Sequence, residues 1–133
     1  MAAQMPMVDY LVLDDGGTAH LVARECSSCG ALYFDRRNAC ARCGKRDFGT
    51  HPLGNDGVVR SFSIVHRAAP GVPAPFVSAV VDLEGGGMVK ANIVDVEPTP
   101  DHVRLGMPVT LTTFVAGTDD NGTEAVAFGY RPR

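Results

Sequence analysis

Cys26-Ser27-Ser28-Cys29-Gly30 and Cys40-Ala41-Arg42-Cys43-Gly44, with ten residues between the pairs, carry every cysteine of the chain. A disulfide framework spreads its cysteines, whereas two clustered Cys-x-x-Cys pairs in a reducing compartment gather four thiolates around one Zn²⁺, which takes tetrahedral sulfur ligands at about 2.3 Å. Two intervening residues let the backbone wrap the ion, and Gly30 and Gly44 stand where each knuckle turns tightly. The spacer is shorter than the roughly 15 to 20 residues of the common ribbon pattern. A compact hairpin is therefore predicted, with Tyr33-Phe34 as strand and Asp35-Arg36-Arg37-Asn38 as turn. A rubredoxin-type iron site, a redox dithiol and two disulfides are the competing readings. Catalytic zinc is disfavoured because four sulfurs leave no position for water.

Upstream, Val8–Leu13 and Ala19–Arg24 are apolar runs of strand length on either side of Asp14-Asp15-Gly16-Gly17-Thr18, a hairpin signal whose second arm leads into Cys26. Downstream, the turn-rich stretch Phe48–Gly57 predicts a module boundary, dividing the chain into a hairpin and zinc ribbon over 1–50 and a second domain over 51–133. From Gly57 onward the pattern is β throughout: Val58–Arg67, Phe76–Leu83, Met88–Asp95, Val109–Val115 and Thr123–Tyr130. Three prolines withhold ladder donors from Ala68–Pro75, which reads as a loop. Glu84–Gly87 reads as a hairpin turn and Gly106-Met107-Pro108 as a bent lead-in to the fourth strand. Hairpins joining the second strand to the third and the fourth to the fifth match the Greek-key barrel of the OB-fold. The expected fold is all-β, an N-terminal zinc ribbon followed by a five-stranded OB-fold barrel, with at most a helical turn or two over Pro98–Leu105.

Composition narrows the function. A chain of 133 residues, 45% hydrophobic, with 15 Gly and 9 Pro, buries one modest core or two small modules, not a large independent enzyme fold. Its net charge of −3 has the wrong sign for a general nucleic-acid binder. Neither a signal-peptide pattern nor an apolar run of about 20 residues occurs, so a cytoplasmic protein with no membrane partner is expected. No Gly-x-Ser-x-Gly elbow, Walker loop or dinucleotide fingerprint is present. His20, His51, His66 and His102 are scattered; His66 stands out only for lying beside Arg67 at the mouth of the proline-rich loop. With all four cysteines assigned to metal, no thiol nucleophile remains, and catalysis by this chain alone is not expected.

The sequence resembles the acyl-CoA-associated family that pairs a rubredoxin-like zinc ribbon with an OB-fold. The resemblance rests on the two knuckles, on Gly57–Arg67, on Pro75–Glu84, on Ala91-Asn92-Ile93-Val94 and on Arg104–Val109, in the family's order from about Arg24 to Val115. It implies a small non-catalytic subunit docked on a thiolase-superfamily enzyme, an aldolase or a hydratase, whose catalytic Cys and His belong to the partner. Structural Zn²⁺, and coenzyme A or acyl-CoA shared with that partner, are the implied ligands. Family members often begin with a helical segment where Val8–Arg24 here reads as a hairpin, which suggests a subgroup acting on aromatic or other bulky acyl-CoA intermediates in degradation. Arg60, Arg67 and Lys90 would offer cations to the coenzyme's phosphates, and the proline-rich loop would cover its pantetheine arm. The alternative is a single-stranded nucleic-acid-binding zinc-ribbon/OB module, which needs a cationic groove with stacking aromatics; this chain is acidic and has 3 Tyr, 6 Phe and no Trp. A stand-alone iron redox protein is the third reading.

Overall fold

Strict alternation makes Phe76–Leu83 a strand with one face in the core, and Val77, Ala79, Val81 and Leu83 are the buried residues. The computed structural model describes residues 3–14, 18–34 and 36–133. These form the strands β1 (Gln4–Pro6), β2 (Leu11–Leu13), β3 (Ala19–Cys26), β4 (Leu32–Tyr33), β5 (Phe48–Pro52), β6 (Asp56–Val65), β7 (Phe76–Leu83), β8 (Met88–Ile93), β9 (Pro108–Thr118) and β10 (Glu124–Pro132). No helix occurs among the described residues, and Pro98–Leu105 holds only turns.

Strands β6 to β10 close the expected barrel in the order β6-β7-β8-β10-β9. Strands β8 and β10 pair in parallel through Ile93 and Tyr130, and β9 returns to β6 through Val109 opposite Gly57. A bulge between Val59 and Ser61 leaves Arg60 as the extra residue on β6, adding the bend a closed sheet needs. Close packing at the barrel's end explains two glycine positions. A Cβ at Gly57 would stand 2.3 Å from the Asp82 carbonyl oxygen, and Gly87, with φ of 97°, would bring one to 3.1 Å from the Leu53 side chain. The turn over residues 84–87 and the Gly106-Met107-Pro108 lead-in, with Gly106 at φ of 80°, form as predicted.

The hairpin reading of the N-terminus holds in register, Leu11 opposite Leu21 and Leu13 opposite Ala19, while residues 15–17 of its predicted turn and Asp35 of the inter-knuckle turn lie outside the described residues. Strand β2 begins at Leu11, not Val8, because the Leu11 N–H donates to the Val8 carbonyl and closes a turn there. Two elements differ from expectation. The stretch read as a joint contains β5, which pairs with β3 from Val22–Pro52 to Cys26–Phe48; as an edge strand it tolerates Gly49 and Pro52. Strand β1, too short to show periodicity, pairs in parallel with β10.

Hairpin, ribbon and barrel share one core. Leu11, Leu21, Ala23 and Leu53 belong to the same buried cluster as Val59, Val81, Val109 and Tyr130. An aromatic series crosses the junction: Phe34 of the ribbon lies 4.7 Å from Tyr10, Tyr10 lies 5.8 Å from Phe128, and Phe128 lies 6.3 Å from Tyr130. The Tyr130 hydroxyl is fully buried and has no hydrogen-bond partner among the described residues, and burial pushes its pKa upward. An orphaned buried hydroxyl costs about 1–3 kcal/mol. Tyr130→Phe is therefore expected to leave the fold intact and raise its stability by about 1 kcal/mol in urea denaturation, whereas a loss of stability would show that the hydroxyl has a partner.

Candidate metal centre

Cys26 ends β3, so the ladder that pairs β3 with β5 delivers the first knuckle to a fixed place. The Gly30 N–H donates to the Cys26 carbonyl and the Gly44 N–H to the Cys40 carbonyl, closing two turns of the same form, with Gly30 and Gly44 at φ of 78° and 79°. Only glycine enters that region without strain. The Ser27 N–H donates to the Asp47 carbonyl and ties the knuckles side by side.

The result is a compact cluster of sulfur. The four Sγ atoms lie within 4.8 Å of one another, with Cys26 and Cys43 at 3.5 Å and Cys29 and Cys40 at 3.6 Å. A tetrahedron built on bonds of about 2.3 Å has edges of about 3.8 Å, so these sulfurs fit one tetrahedral ion with little movement. All four are free thiols. Tyr33 braces the second knuckle: its hydroxyl contacts Cys40 Sγ at 3.4 Å and accepts from the Ala41 N–H, while its ring carries Arg37 at 4.4 Å and meets Phe48 edge-on.

The hydrogen bonds sort the thiols electrostatically. The Tyr33 hydroxyl, then the N–H groups of Cys43 and Arg42, lower the pKa of Cys40 to about 6. The N–H groups of Cys29 and Ser28 lower that of Cys26. Cys43, against the pull of the Lys45 N–H, is pushed up to about 12 by desolvation and by Cys26, Cys29 and Cys40. Four sulfurs this close ionise together only around a cation, so the donor set itself calls for a metal. Its closed S₄ shell suits a structural ion with no open position.

The structure does not gather Arg60, Arg67 and Lys90 into one pocket. Arg60 projects from the β6 bulge and faces Asp82 at 3.5 Å. Lys90, opposite Val80, is exposed on β8 on the far side of β7, and Arg67 lies exposed past the end of β6. No helix of the described residues is long and apolar enough to cross a membrane.

Fold and knuckles define a zinc-ribbon/OB-fold protein, and the comparisons make the class specific. Residues 15–49 match the family described as "ChsH2, rubredoxin-like zinc ribbon domain", and residues 50–114 match "ChsH2, C-terminal OB-fold domain". The chain belongs to this ChsH2-type DUF35 family. It is 32% identical over 114 residues to a DUF35 domain-containing scaffold protein of Methanocaldococcus jannaschii, covering 84% of this chain and 79% of that one. It is 36% identical over 117 residues to the benzoylsuccinyl-CoA thiolase subunit BbsA of Geobacter metallireducens, covering 88% and 77%. Among solved structures, the Ltp2-ChsH2(DUF35) aldolase contains a chain that superposes with a TM-score of 0.68 at 30% identity, covering 85% of this chain and 84% of that one.

Removing one ligand strands three thiolates in a crowded site. Cys40→Ser or Cys26→Ser is expected to abolish stoichiometric metal and unfold the ribbon, visible as loss of dispersed amide signals from β3 to β5. A metal-free variant with an intact ribbon would contradict the assignment.

Proposed function

We propose that this chain holds one structural Zn²⁺ through Cys26, Cys29, Cys40 and Cys43 and acts as a non-catalytic accessory subunit of a thiolase-type acyl-CoA enzyme. In this reading it docks on the catalytic subunit in the cytoplasm, helps shape the acyl-CoA site, and serves the degradation of aromatic or other bulky acyl-CoA intermediates. The observation that carries it is the likeness to the benzoylsuccinyl-CoA thiolase subunit, which spans ribbon and barrel together and not the knuckles alone. The aldolase complex supports the same kind of assembly. The chain's own chemistry agrees: its thiols are drawn into one metal cluster, and three of its histidines, His20, His51 and His102, face carboxylates on the exposed surface. Among the described residues one hydroxyl does meet a histidine, Thr99 with His102 Nδ1 at 2.8 Å, on an exposed turn where Glu97 approaches the same nitrogen.

Coenzyme A enters the reading through the β6–β8 side. Arg60, Lys90 and Arg67 there would meet the phosphates of a coenzyme bound mainly by the partner, and the exposed loop over residues 66–75 would lie along the pantetheine arm. Cations on an open surface bind such an anion weakly alone, so the contribution would become measurable only in the complex.

Co-expression with the thiolase-superfamily subunit of the same organism, followed by gel filtration and a thiolysis assay on an aromatic acyl-CoA, tests the proposal. Co-elution is expected, with thiolysis at least tenfold slower when this chain is absent. Separate elution with equal rates would end it.

A further inference from the structure

Strands β9 and β10 run past the barrel as a two-stranded arm, and β1 docks along the free edge of β10. Opposed residues in a ladder share a face and successive residues alternate between faces. On β10, Val126, Phe128 and Tyr130 point to the core side, so Ala125 and Ala127, both half-buried, face outward, and Gly129 beyond them is buried. Met5 pairs with Ala125, Phe114 pairs with Ala127, and Met7 follows Met5 in the alternation. The outer face of the arm is thus a floor of Ala125 and Ala127 flanked by Met5, Met7 and Phe114, exposed by 64%, 58% and 42%. The remaining exposed large apolar side chains on the barrel's flanks, such as Val72 and Leu105, stand singly or beside charges. A contiguous apolar face on an otherwise well-buried chain marks an interaction site.

At its barrel end this face opens into a hollow of about 260 Å³ lined by Val94, Asp95, Thr112, Thr113 and Phe114. Close by, Gly129 is buried, and a Cβ there would stand 3.0 Å from the Asn92 carbonyl oxygen and 3.4 Å from Phe114 Cε1, so the strands pack tightly beside the hollow. Asp95 holds its place beside it with φ of 56°, a left-handed backbone that costs a non-glycine residue energy. Carboxylates outnumber cations at its margin: Asp95 beside the hollow and Asp119 with Asp120 at the arm's tip, against Arg131 at the barrel end of β10. All three carboxylates are exposed, and none is in an ion pair among the described residues.

We propose that the outer face of the β1–β10–β9 arm is where the catalytic subunit docks, and that the partner presents an apolar surface with Lys or Arg at its margin and one large side chain that fills the hollow beside Phe114. The inference rests on the accessory-subunit reading and adds its location and its chemistry. Charge complementarity selects the occupant. A second copy of this chain, meeting the same face, would bring six carboxylates together with two arginines, whereas a basic-rimmed apolar partner satisfies both parts of the surface. Apolar side chains around a pocket at the centre, with charges at the rim, is the usual distribution of binding energy.

The test uses the co-expressed complex with the thiolase-superfamily subunit and titrates it by surface plasmon resonance. Phe114→Glu and Met5→Glu, on separate strands so that a folding defect in one leaves the other informative, are each expected to weaken binding at least tenfold with the free chain's melting temperature and zinc content unchanged. Leu105→Glu, equally exposed but off this face, is expected to bind as wild type. Asp120→Lys, which leaves the Asp119 carboxylate to accept from the turn N–H groups of Asn121 and Thr123, is expected to weaken binding severalfold and flatten its salt dependence. Wild-type association that survives both glutamate variants overturns the docking face alone, and failure of the wild-type chain to associate overturns the accessory reading with it. A free-chain dimer abolished by Phe114→Glu would make the face a self-association surface and overturn the proposal.

Discussion

Four sulfur atoms within 4.8 Å of one another are a constraint that the rest of the N-terminal half serves. Thiolates at that spacing repel, and only a cation among them turns the repulsion into attraction. Binding of a structural zinc in small peptides is worth on the order of 10–16 kcal/mol, as much as the whole stability of a typical domain. Strands β3, β4 and β5 have few large apolar side chains of their own, Leu21, Leu32 and Phe48 among them, so an ion held by the four cysteines would supply much of the ribbon's stability. The dependence extends into the barrel, because Phe34 leans on Tyr10 and through it on Phe128, and Leu53 packs under the glycine turn of β7 and β8. Ribbon and barrel are two motifs over one continuous core.

How much of this was legible in the sequence follows from which signals are local. The knuckles are local: Cys-x-x-Cys-Gly states ligand, spacing and turn within five residues, and the sulfurs meet as expected. Strands β7 and β8 are nearly as clear, since the alternation in Phe76–Leu83 and the Gly85-Gly86-Gly87 turn are short-range patterns. Strand β5 is not, because Gly49, His51 and Pro52 have poor strand preferences and pair only because β3 offers an edge beside the metal. Strand β1 depends wholly on a partner 120 residues away, Glu124 opposite Gln4. The hollow needs Val94, just past the end of β8, and Phe114 of β9, which no single window of sequence brings together.

The division of labour follows from the same facts. The cysteines cluster at the knuckles, His20, His51 and His102 face carboxylates, and Arg60, Arg67 and Lys90 are exposed on the barrel. Its net charge of −3 is unevenly placed: Arg36, Arg37, Arg42, Lys45 and Arg46 crowd the second knuckle, while Asp95, Asp119 and Asp120 border the apolar arm. A protein with a basic-rimmed apolar surface complements that arm.

The central claim is that one metal ion orders the ribbon and, through the shared core, steadies the hairpin against the barrel. Hydrogen exchange before and after zinc is stripped by a chelator addresses it directly. The account predicts loss of protection at the amides of Gly30 and Gly44, along β3 and β5 and at the β2–β3 pairing, with β7 at the centre of the barrel still protected. Unchanged protection through β3 and β5 in the metal-free protein would contradict it.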